Sequence, residues 1–422
     1  MLSARDNQTI TSTNAGTPLG EAFRRYWMPA LLSEELPEPD GAPVRVGLLG
    51  EQLIAFRDTS GRVGIVANAC PHRGASMFFG RNEENGLRCV YHGWKFDADG
   101  ACVDMPNEPA ESNFKHKIRL TAYPTHEGGG LVWAYMGPAE KQPPLPDFEW
   151  LRLPEGHRTM TKTLEDCNYL QGIEGGIDSS HTSFLHRMMS PDNKVFGANS
   201  MRARSTAPKL EVVTTPWGYT YASLRGLPAE HKTYVRVYQF VMPFYQVRAF
   251  EGFETGRPTV MGHMWVPVTD ETHWVYNFMY RTDGSRLTDY EILHEGADFG
   301  RDESDLIPGT FRLKANRSTD YLIDRAAQKS VNYTGIMGIN TQDMAIQESM
   351  GPVYDRSKEH LGTADTAIIA ARRLLLQAAA DVAEGRDPQG AFCEHIDRSA
   401  EAVIPDTADW FQTLKPETAT RF

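Results

Sequence analysis

The sequence predicts an α+β protein built in two main parts. Strand-like segments crowd residues 43–136, six more run between residues 210 and 280, and helical patterns bracket the second series. Between the two series lies the Pro-rich stretch Gln142, Pro143, Pro144, Leu145, Pro146, a linker by composition. The expected organisation is a helical segment over 1–26, a small β-rich domain over 27–145, and a larger domain over 146–422 with an antiparallel sheet flanked by helices.

In chain order, Thr17 and Pro18 open a short helix carrying Phe23, Tyr26 and Trp27, since proline is tolerated in a first helical turn. Strands are expected at 43–49, 52–57 and 63–66, with a turn at Asp58 to Gly61, and the last strand of the small domain at 130–136. In the larger domain they are expected at 210–215, 219–224, 233–241, 245–250, 259–266 and 273–280. One helical pattern covers 161–186. Another runs from Thr363, read as its cap, to Gly385, with Ile368, Ile369, Leu375, Leu376 and Val382 as its apolar stripe.

Composition narrows the function. The 422 residues include 43 basic and 55 acidic side chains, a net charge of −12, which argues against a nucleic-acid partner because phosphate binding needs a basic surface. Five cysteines are too few and too scattered for a disulfide framework. The first residues lack the apolar core of a signal peptide, and no run of about 20 apolar residues suggests a membrane span. The expected location is the cytoplasm.

The sharpest motif is Cys70, Pro71, His72, followed after sixteen residues by Cys89, Val90, Tyr91, His92. Two thiolates and two imidazoles from two short loops are the ligand set of a Rieske [2Fe–2S] centre, in which two histidines replace two cysteines on one iron. They also suffice for tetrahedral zinc, although zinc pairs usually group Cys with Cys and His with His. Arg73, Gly74 and Ala75 follow the first loop, Gly93 allows close backbone approach behind the second, and residues 102–106 form a third stretch able to cover a cluster.

A second cluster of donors occupies 170–186. On a continuous helix Gln171, Glu174, Asp178 and His181 stack on one face, a row that is commonly just solvated surface. Gly175 and Gly176 oppose that reading, since glycine in a helix interior costs about 1 kcal/mol and signals close packing or distortion. His186 follows His181 by five residues, about 140° around a helix, so both reach one metal only if the helix ends or bulges between them. Two histidines need one carboxylate to complete a facial triad for non-haem Fe(II). Asp178, Asp343 and Glu348 are the candidates.

The segment from Cys70 to Pro109 closely resembles the Rieske domain of aromatic-ring oxygenases, and nearly the whole chain resembles a Rieske non-haem iron ring-hydroxylating oxygenase of the phthalate dioxygenase type. The D-x₂-H-x₄-H motif of that family is matched by Asp178, His181 and His186. The resemblance implies Asp343 as third iron ligand over Glu348. It makes Asp178 a catalytic bridge between His181 and His72 or His92 of a neighbouring subunit, in a homotrimer or stacked hexamer. It further implies reductive activation of O₂, with electrons from NADH through a separate flavin and iron–sulfur reductase. The chain has no G-x-G-x-x-G after a strand, hence no nicotinamide site of its own.

The implied substrate is an aromatic carboxylate such as phthalate, and the implied product a cis-dihydrodiol. Monohydroxylation or O-demethylation is the alternative on the same motifs. A desolvated carboxylate needs a cationic fork. Arg204 and Arg248 are the favoured anchors, with Arg236 and Lys209 next. Two further alternatives are an electron-transfer Rieske protein without oxygenase activity and a zinc-stabilised binding protein.

Overall fold

The computed structural model describes residues 2–109, 111–250, 259–395 and 398–419. Alternating apolar side chains build the first part as three small antiparallel sheets. Strands β1 (Trp27–Leu32), β2 (Val44–Leu48), β3 (Glu51–Arg57) and β4 (Val63–Ala67) are followed by four short strands: β5 (Arg81–Asn82), β6 (Leu87–Arg88), β7 (Lys95–Phe96) and β8 (Cys102–Asp104). Then come β9 (Ala122–Tyr123), β10 (Thr125–Gly128) and β11 (Leu131–Tyr135). Their orders are β1-β11-β10, β2-β3-β4-β9 and β5-β6-β7-β8. The last sheet is too short to bury a core alone, and it rests on a separate apolar cluster of Met77, Leu87, Trp94 and Phe96 around Cys70 and Cys89.

The second part is one eight-stranded antiparallel sheet. It comprises β12 (Arg158–Glu165), β13 (Lys209–Thr215), β14 (Gly218–Leu227), β15 (Lys232–Val241), β16 (Tyr245–Phe250), β17 (Thr259–Thr269), β18 (Thr272–Arg281) and β19 (Glu401–Pro405). The order is β12-β18-β17-β16-β15-β14-β13. Strand β15 pairs with β19 through Lys232–Arg236 and with β16 through Tyr238–Val241, so β19 extends the row that β16 begins. One continuous apolar core, including Phe23, Trp133, Trp150, Tyr169 and Phe244, joins this sheet to the first part.

The helix expected over 161–186 is not formed as such. Residues 158–165 alternate Thr159, Thr161 and Thr163 with other side chains, and this period of two pairs as strand β12 against β18. The helix is confined to Tyr169–Ile177, capped by the Asn168 side chain on Leu170 N–H. It lies against β17, where a Cβ at Gly176 would come within 2.0 Å of the Trp265 ring. Close packing is therefore the reason for Gly176. The expected polar row is not a surface either: Gln171 is buried and bonds the Gln347 and Gly351 carbonyls, and Glu174 pairs with Arg356 and Arg372. Arg356 and Arg372 are themselves buried, so Glu174 supplies charge to a site that would otherwise be costly.

The long C-terminal helix spans Thr366–Ala383. Thr363 belongs to a preceding 3-10 turn and is not its cap, which is Asp365.

Candidate metal centres and active site

The two cysteine-histidine loops fold alike. Cys70 N–H donates to the Ala75 carbonyl at 2.8 Å and Gly74 N–H returns to the Cys70 carbonyl at 2.8 Å; Cys89 N–H donates to Trp94 at 2.8 Å and Gly93 N–H to Cys89 at 3.0 Å. Gly74 and Gly93 carry φ of +76° and +82°, where a side chain would be strained, and a Cβ on Gly93 would meet the Pro106 ring at 2.6 Å. Each loop thereby buries its cysteine and holds its histidine at the rim. The His72 and His92 rings stand 4.4 Å apart, and His72 stacks on Trp94.

These residues fit a two-iron cluster better than one zinc ion. A single tetrahedral ion would gather all its ligand atoms within about 4 Å. Among the described residues, only two groups bring three or more donors within 4.8 Å of one another, and neither includes these loops. His92 Nδ1 is buried without a hydrogen-bond partner, as a ligand nitrogen is. Burial, the largest influence, pushes the Cys70 thiol up to about 11, with Cys89 alongside adding to the rise, so bound cation charge is what would favour its thiolate.

His181, His186 and Asp343 are brought together. The helix ends at Ile177, Asp178 is extended at its C-terminus with φ −63° and ψ 124°, and its carboxylate accepts from Ser180 N–H at 2.7 Å. This turn replaces the 140° offset of a continuous helix and lets both imidazoles face one point. Their Nε2 atoms lie 3.1 Å apart, and Asp343 Oδ1 is 3.6 Å from His181 Nε2 and 3.3 Å from His186 Nε2. Asp343 reaches them from the helix Ile339–Ser349.

The outward nitrogens fix the tautomers. His186 Nδ1 lies 2.8 Å from Gln342 Oε1, whose own amide is anchored on the Ile336 carbonyl, so Nδ1 carries the hydrogen and Nε2 is bare. His181 Nδ1 faces Asp178 Oδ2 at 3.4 Å. Three atoms that can each accept therefore converge, an arrangement that positive charge between them stabilises. Although burial pushes the Asp178 carboxyl upward, hydrogen bonding to His181 and the Ser180 donors bring it down to about 2. Glu348 is used elsewhere: it accepts from Asp166 N–H and the Tyr321 hydroxyl.

A cavity opens beside the triad, walled by Phe196, Phe250, Trp265, Val275 and Phe299. Arg248 lines it from β16, bonded to Gln246 Oε1 at 3.1 Å and in no ion pair among the described residues. Burial and the charges of Arg236 and Arg301 pull its pKa down to about 9, so it remains a cation at neutral pH. Arg204, expected as a second anchor, does not line this cavity. It closes a short helix, Met201–Arg204, is 40% exposed at the side chain and pairs with Glu230. The two-residue offset to Arg202 explains the correction, since Arg202 is the arginine turned to the cavity. Arg236 also lines it but is paired with Glu401, while Lys209 is exposed against Glu211. Sequence reasoning missed Arg202, Gln342 and His263; only the position of Gln342 beside Asp343 offered a signal.

Comparison with known proteins places this geometry. A Rieske [2Fe-2S] domain matches residues 26–124, and a LigXa C-terminal domain like family matches 134–420. The chain is 38% identical over 97% of its length to the phthalate 4,5-dioxygenase oxygenase subunit of Pseudomonas putida, covering 94% of that protein. It is also 38% identical to the 3-chlorobenzoate-3,4-dioxygenase oxygenase subunit of Comamonas testosteroni, over 97% of both chains. The 5,5'-dehydrodivanillate O-demethylase oxygenase subunit of Sphingobium is 32% identical over 92% of this chain and 83% of its own. Among solved structures, the QL mutant of Pseudomonas putida CBB5 NdmA with theobromine superposes with a TM-score of 0.63 at 20% identity, over 93% of this chain and 99% of that one. The chain belongs to the Rieske oxygenases, as an oxygenase subunit of their aromatic dioxygenase and monooxygenase branch, an oxidoreductase that uses a [2Fe–2S] cluster and a non-haem iron.

Proposed function

We propose that the enzyme oxidises an aromatic carboxylate, with cis-dihydroxylation of the ring as the reaction. The observation that carries this reading is Arg248: a cavity-facing guanidinium with no carboxylate partner among the described residues, beside apolar walls suited to a ring. Two relatives at 38% identity are named for phthalate and chlorobenzoate, both aromatic acids. His181, His186 and Asp343 would hold the iron, which would supply O₂ activation, and Cys70, His72, Cys89 and His92 would hold the cluster, which would supply electrons originating from NADH by way of a separate flavin and iron–sulfur reductase.

The chain's own residues do the rest. Arg248 orients the carboxylate by a charge-assisted bond, Phe196, Phe299 and Trp265 exclude water from the ring, and Asp178 holds the hydrogen on His181 Nδ1. Asp178 is 21% exposed at its side chain and so keeps a face for a neighbour. In this reading that neighbour is His72 or His92 of another subunit in a ring-shaped homotrimer, alone or stacked as a hexamer.

The test is turnover of mono- and dicarboxylated aromatics with a compatible reductase, with products identified by mass. Addition of both oxygen atoms to a ring is expected. Release of formaldehyde from methoxylated acids would instead assign O-demethylation. Arg248→Met is expected to raise the substrate dissociation constant at least tenfold with both metals retained, because it strands a desolvated carboxylate. Unchanged binding would place the anchor elsewhere, with Arg202 the neighbour to test.

A further inference from the structure

We propose that Glu165, Cys167 and His273 form a second metal site of the catalytic domain, one that takes a borderline divalent cation such as Zn²⁺. The three side chains come together because Glu165, the last residue of β12, is the direct cross-strand partner of His273 on β18, and Cys167 follows two residues later. All three are buried, Glu165 to 5% and the other two to 0% exposure. Their donor atoms lie within 4.8 Å of one another.

His273 Nδ1 stands 2.7 Å from the Cys167 carbonyl oxygen, which can only accept, so Nδ1 carries a hydrogen. In the neutral ring Nε2 is then a bare lone pair. It faces Glu165 Oε2 at 3.3 Å, and neither atom has a hydrogen-bond partner among the described residues. Two buried acceptors pointed at one another repel unless positive charge lies between them. This is the same pattern that His181, His186 and Asp343 present at the iron site.

The spacing suits a metal. Tetrahedral zinc with bonds of about 2.0 Å to nitrogen and oxygen separates its ligand atoms by about 3.3 Å, and a thiolate sits slightly farther out. The bond from His273 to a backbone carbonyl is the outer-sphere support that metal-bound imidazoles commonly have. Gly172 packs against the Nε2 side of His273, where a Cβ would come within 2.8 Å of that nitrogen and 2.3 Å of the Trp265 ring, so no side chain from this helix covers the donor atoms. Glu165 lines the same cavity as the iron triad, which supplies an entry path. Binding displaces the thiol proton of Cys167 to solvent. Thiolate, imidazole and carboxylate together are a zinc-type donor set.

Zinc stoichiometry and zinc K-edge absorption on the fully iron-loaded enzyme, incubated with zinc and dialysed, give a direct test. The cysteine-histidine loops would give zinc two sulfur neighbours and the iron triad none; the proposed site gives one, at about 2.3 Å. One retained zinc per chain with a single sulfur shell is expected. Cys167→Ser should erase that shell and weaken zinc binding at least tenfold, and His273→Gln should weaken it similarly while the visible spectrum of the cluster persists. Failure of either variant to fold leaves the wild-type spectrum decisive. No retained zinc, a two-sulfur or sulfur-free spectrum, or an unchanged spectrum in Cys167→Ser would overturn the proposal and leave a buried histidine–glutamate contact.

Discussion

At the scale of single residues, the proposed iron site rests on side chains that fix tautomers as much as on the three donors themselves. Gln342 is the clearest case, because its buried amide accepts from His186 Nδ1 at 2.8 Å while donating to Ile336. Gln342→Leu preserves shape but frees the imidazole to rotate or change tautomer. Loss of such a partner typically costs about 10–100-fold in metal affinity. Iron titration of the stripped protein should show a weakening of that order, with the visible spectrum of the cluster unchanged. Equal affinity would mean that packing alone orients His186. The donors His181, His186 and Asp343 were legible in the sequence through the motif and the family it resembles. Arg202 was not, because nothing in a one-dimensional pattern tells which of two arginines in a four-residue helix points inward.

At the scale of elements, the decisive feature is where the helix Tyr169–Ile177 stops. Periodicity alone suggested a helix through His186, with Gln171, Glu174, Asp178 and His181 stacked on one face. What periodicity cannot show is the turn at Asp178 or the burial of Glu174 between two arginines from distant segments. The glycine pair was the local clue. Gly175 faces the Gln347 side chain and Gly176 the Trp265 ring, with room for no Cβ at either. Gly176→Ala should gain helix propensity of about 1 kcal/mol yet lose more through overpacking, which typically costs about 1–3 kcal/mol. The net expectation is a lower melting temperature together with reduced iron occupancy, since the helix carries the Asp178 turn. A stabilised protein with full iron would show that Trp265 yields freely. Most sheet strands were readable because alternation survives in long paired runs. The short strands β5 to β8 were not, being ordered by the loops around the cysteines more than by their own two or three residues.

At the scale of the whole molecule, the separation of the two redox sites within one chain decides how electrons can travel. Among the described residues no hydrogen bond, ion pair or ring contact joins His72 or His92 to Asp178, His181 or His186. Beside His92, Val90 and Tyr91 are more than half exposed, and the Tyr91 ring packs on that imidazole, an apolar rim of the kind that partners cover. Both features fit transfer between subunits. Complementation tests this directly: chains with Cys89→Ser, defective in the cluster, are co-expressed with chains carrying His186→Ala, defective in the iron site, under two affinity tags. Neither parent should oxidise substrate. If electrons pass from the cluster of one subunit to the iron of the next, mixed assemblies contain some junctions with both sites intact and recover activity in proportion to their abundance. If transfer runs within one chain, every subunit is broken somewhere and tandem-purified hybrids stay inactive. Recovery that disappears when Asp178→Asn is added to the Cys89→Ser chain, which then supplies the intact iron site, would identify that carboxylate as the junction.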